Sequence, residues 1–161
     1  MKIREVRAVG LRGATPEGGW TEEIKPEDCV QTLVAVHTDE GATGFGSVFT
    51  NVDLVRASLA VLEPLYRNEN ALEPERVSEK LRQHTFWLGR GGSITHVISG
   101  IDIALWDILG KAAGQPVGRL LGGRYRERVR PYASLLMQEP AALAEILVAL
   151  KARRFRAFKI G

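Results

Sequence analysis

Residues 94–113 constrain the fold more than any other stretch of this chain. Ile94, Val97, Ile98, Ile101, Ala104, Leu105, Ile108 and Leu109 recur at steps of three and four. At 3.6 residues per turn those steps gather them into one apolar stripe. A helix with such a stripe must lie against a sheet or other helices. Ser93 is the expected N-cap. Gly114 stands past the end, and Pro116 blocks continuation. Asp107 and Lys111 form an i,i+4 pair worth about 0.3 kcal/mol.

The flanking segments supply the cover. Residues 2–11 alternate apolar and charged side chains loosely, as a half-buried strand does. Residues 29–38 (CVQTLVAVHT) and 42–48 (ATGFGSV) flank an Asp-Glu-Gly turn and read as a β-hairpin. Gly44 and Gly46 invite a phosphate-loop reading. They sit inside a strand pattern with no helix opening after them, so the dinucleotide fingerprint is rejected. Residues 13–20 (GATPEGGW) and 49–51 (FTN) are loops. Residues 52–67 and 74–85 have helical spacing. Pro64 is expected to end or kink the first, and Pro74 suits the first position of the second. Residues 86–92 read as a loop and 117–121 as a short helix. Beyond them the pattern changes to strand (129–135), helix (140–154) and strand (155–160), one βαβ unit. The expected organisation is an α+β domain over residues 1–125, then the first βαβ unit of an α/β domain over 126–161.

The chain has 161 residues, 45% hydrophobic and 25% charged, which fits a globular protein. No apolar run approaches the ~20 residues of a membrane span. Charges scattered through the N-terminus exclude a signal peptide. One cysteine, Cys29, excludes an internal disulfide or a cysteine-based metal cluster. A reducing, cytoplasmic setting is expected. The net charge is +3. Ten Lys/Arg against three acids in residues 119–161 leave twelve against sixteen before them, a split of +7 and −4. No aromatic stacking platform accompanies the basic tail, so no nucleic-acid partner is expected.

Trp20 ends a glycine-rich loop. It serves either as part of a lid closing over a ligand or as an anchor on the sheet. His37, His84 and His96 have no ligand spacing among themselves, so structural roles are expected for them. Arg90 in a Gly-Arg-Gly-Gly run is either an anion contact or solvated. Trp106 is expected to pack between domains or subunits. Asp102 and Asp107, five residues apart on a helix, point about 140° apart and do not form a metal pair.

Residues 99–123, SGIDIALWDILGKAAGQPVGRLLGG, resemble the signature of the mandelate racemase/muconate lactonizing enzyme family of the enolase superfamily. Val97 departs from it, standing where alanine is usual. The early strand, the glycine-rich loop and the HTDEGATGFG hairpin also fall where that family's N-terminal capping domain has them. The resemblance implies a cap packed on a modified (β/α)₈ TIM-type barrel. A barrel needs roughly 250 residues, so the chain reads as truncated. It implies Mg²⁺-dependent abstraction of a proton α to a carboxylate, as in a dehydratase, racemase or epimerase acting on a hydroxy- or sugar acid. Such a carbon is weakly acidic, and a bound cation stabilises the second negative charge as it develops. The Mg²⁺ ligands are expected beyond Gly161.

Family members carry Lys-x-Lys on the second barrel strand, where one lysine acts as base. Here residues 155–161 read FRAFKIG. Lys159 aligns with the first lysine, leaving Gly161 at the second, or with the second, leaving Ala157 at the first. Residues two apart share a strand face, so either register turns Lys159 inward without its partner. The resemblance implies Lys159 as a catalytic residue, the alternative being a surface lysine. It implies Trp20, Thr50 and Asn51, on the two cap loops, as substrate contacts. The implied partners are a small-molecule carboxylate and further copies of the chain, with no membrane. A non-catalytic binding or assembly module is the competing expectation. In either case the fragment alone is expected to be inactive.

Overall fold

The computed structural model describes residues 1–13, 25–89 and 91–161. The described residues form two compact units, one ending at Gly123 and the other running Arg124–Gly161.

The first unit is a three-stranded antiparallel sheet covered by helices. Strands β1 (Ile3–Leu11), β2 (Gln31–Thr38) and β3 (Thr43–Phe49) lie in the order β1-β2-β3. Val6 pairs with Val36 and Val36 with Gly44; Ala8 pairs with Val34 and Val34 with Gly46. The helices are α1 (Val52–Tyr66), α2 (Pro74–His84), α3 (Gly92–Ala113) and the short α4 (Val117–Leu120). The expected stripe on α3 is the centre of the core. Val97, Ile101, Ala104, Leu105 and Ile108 are fully buried with Val34, Val36 and Leu81. By length and composition alone α3 could cross a membrane. Here it is the helix on which this core is built.

The strand glycines explain how α3 approaches so closely. A Cβ at Gly44 would lie 2.0 Å from the Ala104 carbonyl oxygen, and one at Gly46 would lie 2.1 Å from that of Gly100. Backbone meets backbone at this contact, which only glycine permits. The Asp107–Lys111 pair has a second use beside it. Asp107 accepts from the Phe45 N–H at 2.9 Å, and the Lys111 ammonium donates to the Thr43 carbonyl at 2.8 Å. The free edge of β3 is thereby partnered by helix side chains rather than left open to another strand.

Several boundaries differ from expectation. The α3 cap is Gly91, and Ser93 lies inside the helix without a capping bond. Pro64 neither ends α1 nor breaks it. It falls in the last turn, and the Arg67 N–H donating to Glu63 closes the helix three residues on. Cys29 is not in the strand: it adopts a left-handed conformation (φ 46°) after a 3₁₀ turn at Pro26–Asp28, so β2 starts at Gln31. Residues 86–88 form a second 3₁₀ turn.

In the second unit β4 (Ala133–Leu135) and β5 (Phe158–Ile160) pair in parallel, joined through α5 (Pro140–Ala152). This is the expected βαβ connection with shorter strands. Pro131 lacks the N–H a longer β4 would need.

Candidate functional site

The described residues that flank the first cap loop meet the second at Asn51. Asn51 sits at the β3–α1 junction. Its Oδ1 accepts from the Asp53 N–H at 2.9 Å, capping α1. Its Nδ2 donates to the Asp28 carbonyl at 2.5 Å, fastening the 3₁₀ turn Pro26–Asp28 to the second loop. Arg12 and Glu27 form an ion pair at 2.5 Å across the base of that first loop. The Glu27 carboxyl is held below the ordinary carboxylate range, first by a backbone N–H and then by the Arg12 guanidinium.

Thr50 is buried, and three bonds fix it. Its carbonyl accepts from the Thr32 hydroxyl at 2.7 Å, and its own hydroxyl donates to the Phe49 carbonyl at 2.8 Å. The same oxygen meets His96 Nδ1, from the first turns of α3, at 2.5 Å. The structure therefore gathers Asp28, Thr50, Asn51 and His96. Trp20 and Arg90 lie outside the described residues. His96, separated from Thr50 by 46 positions, is the member that sequence reasoning missed. Only tertiary packing brings it to the loop, and no local motif could signal it.

Lys159 stands on β5, exposed, in register with Ser134 of β4. Alternation sets these two on one face and Ala133, Leu135, Phe158 and Ile160 on the other. All three β5 residues are exposed, Phe158 and Ile160 as well as Lys159.

The remaining candidates have structural partners. Asp102 accepts from the Ser78 hydroxyl at 2.6 Å, tying α2 to α3. His37 bonds Thr43 at 3.0 Å and His84 the Lys80 carbonyl at 2.9 Å. Trp106 is half-buried. Among the described residues no three His, Cys, Asp or Glu side chains converge on a point that could hold a metal ion. The described residues therefore supply no ligand set for magnesium.

A family comparison agrees with this architecture. Residues 27–122 match the N-terminal domain of mandelate racemase / muconate lactonizing enzyme. The strands-then-helices unit is thus an enolase-superfamily capping domain, and the chain belongs to the mandelate racemase/muconate lactonizing enzyme family. A D-galactonate dehydratase of Xanthomonas oryzae pv. oryzae is 38% identical over 132 residues, covering 80% of this chain and 34% of that protein. A D-gluconate/D-galactonate dehydratase of Picrophilus torridus is 30% identical over 115 residues, covering 70% of this chain and 29% of that protein. Among solved structures, an enolase from Agrobacterium radiobacter with sodium and L-malate bound superposes with a TM-score of 0.81 at 28% identity. It covers all of this chain and 38% of that one. The chain spans about a third of the length of the curated relatives it matches.

Proposed function

We propose that this chain is the cap and the opening barrel segment of a sugar-acid dehydratase, with residues 1–125 as cap and 126–161 as barrel. The supporting observation is the presence, in one chain, of a family-matched cap and a parallel β4–α5–β5 unit with Lys159 exposed on its second strand. Relatives named as dehydratases of D-galactonate, D-gluconate and D-xylonate favour dehydration of a polyhydroxy carboxylate.

In this reading Lys159 takes the proton α to the carboxylate. The hydroxyl at the next carbon takes a proton from a general acid and leaves as water, and the resulting enol tautomerises to a 2-keto-3-deoxy acid. Without a partner lysine at Ala157 or Gly161, this strand offers one base, directed to one face of the substrate. The loops bearing Trp20, Thr50 and Asn51 close over the substrate, exclude water and set specificity. Enolase-superfamily members generally bind Mg²⁺. The described residues supply no ligand set for it, so this chain contributes the cap and the base. The reading also takes the protein to be cytoplasmic and to self-associate. Nothing in the comparisons favours a non-catalytic module.

The test is turnover of D-galactonate, D-gluconate and D-xylonate with Mg²⁺ by the complete protein that carries this chain, read as keto-acid formation. Lys159→Ala is expected to lower kcat at least about 100-fold with Mg²⁺ binding intact. Unchanged turnover in that variant removes Lys159 from the chemistry.

A further inference from the structure

We propose that His96 is a specificity-determining residue of the cap, clamped through Nδ1 so that Nε2 accepts a hydrogen bond from a hydroxyl of a polyhydroxy carboxylate. The inference rests on the reading above and extends it to a residue outside both loops. Thr50 has one hydroxyl hydrogen, and it is donated to the Phe49 carbonyl. For both contacts to be hydrogen bonds, the Thr50 oxygen accepts from His96 and the ring donates from Nδ1. In the neutral ring that fixes the tautomer and leaves Nε2 bare. The side chain is exposed, and Nε2 has no hydrogen-bond partner among the described residues.

The clamp is anchored in turn. Thr32 holds the Thr50 carbonyl, and Asn51 holds both α1 and Asp28. A histidine whose inner nitrogen is bonded to a buried threonine, itself fixed by two further bonds, is pre-oriented and loses little freedom on binding. A bare imidazole acceptor suits a neutral hydroxyl rather than a carboxylate, so the recognised part of the ligand is its polyol tail.

Three variants of the complete protein separate the two nitrogens, with D-galactonate as probe. His96→Asn keeps a donor near the Nδ1 position and loses Nε2. His96→Gln places an amide near Nε2 and loses the clamp. His96→Leu loses both. The asparagine variant is expected to raise KM about tenfold, with kcat within about twofold and Tm unchanged, because a contact made equally in ground and transition states is lost. The glutamine variant should recover most of that KM while lowering Tm. An unchanged KM in His96→Asn overturns the proposal, as does a KM effect that tracks Tm across all three variants. Calorimetric titration of the same acid separates this failure from failure of the dehydratase reading. Wild-type binding without turnover, weakened about tenfold in His96→Asn, sinks the dehydratase reading and keeps the role of His96. Absence of wild-type binding sinks both.

Discussion

The two units contain the same kind of helix and treat it differently. Both α3 and α5 carry an apolar stripe at helical spacing, Leu143, Ile146, Leu147 and Leu150 in the case of α5. Eight residues of α3 are buried, whereas α5 buries none. The difference is the surface each helix meets. The cap offers a three-stranded sheet floored with glycine, so α3 reaches it backbone to backbone. The second unit offers two strands of three residues each. Parallel strands need cover on both faces, and so small a pair does not support itself. An amphipathic stripe states a requirement for burial, and a facing surface has to meet it. Within residues 1–161 the buried apolar cluster lies in the cap.

The sharpest way to break that contrast is at the sheet floor. Gly46→Ala places a Cβ within 2.1 Å of the Gly100 carbonyl oxygen, against backbone that cannot yield without moving α3. It should cost at least about 3 kcal/mol in urea denaturation. A loss under about 1 kcal/mol would mean that the helix is not seated there. Next in size is a matched pair of truncations. Leu105→Ala, fully buried on α3, should cost about 3 kcal/mol, and Leu147→Ala, half-buried on α5, under about 1 kcal/mol. Equal losses would erase the distinction between the units.

A smaller effect is expected at the edge of β3. Asp107→Ala leaves the Phe45 N–H without its acceptor and the Lys111 ammonium without its carboxylate. A loss of about 1 kcal/mol is expected, with faster aggregation at constant protein concentration seen by light scattering. The smallest effect is a pH dependence. Glu69 accepts from Lys80 at 2.6 Å and pairs with Arg76, and its carboxyl lies below its ordinary 4.5, chiefly through the Lys80 bond. A lowered folded value means that stabilisation is present above pH 4.5 and lost as pH falls through the folded value. Thermal melts should show Tm declining below that pH more steeply in the wild type than in Glu69→Gln. Parallel declines would remove Glu69 as a source of acid sensitivity.

Much of the cap was legible because its signals are periodic. The α3 stripe, the hairpin around Asp39–Gly41 and Pro74 at the start of α2 each follow from local spacing or turn chemistry. The misses have physical reasons. Ser93 lost the cap position to Gly91 because two consecutive glycines let the chain turn into the helix earlier. Pro64 forfeits the bond its N–H would have made to the Ala60 carbonyl, and α1 still closes three residues on through the Arg67 N–H to Glu63. Gly44 and Gly46 were correctly refused as a phosphate loop, yet their use was invisible, since the carbonyls they admit lie more than fifty residues away. The same holds at the candidate site. Thr50 and Asn51 were picked because the family resemblance places them on a cap loop. The meeting of His96 with Thr50, and of Asn51 with Asp28, exists only after α3 and the 3₁₀ turn have packed.

The fastening of residues 13–25 at their base has an evolutionary consequence. Arg12–Glu27 and Asn51–Asp28 join the described residues on either side of that stretch. The two flanking fastenings can then stay in place while the sequence between them is rewritten. A lineage needing to accept a new acid could do so by replacing one short insert, while inheriting the rest of the architecture intact.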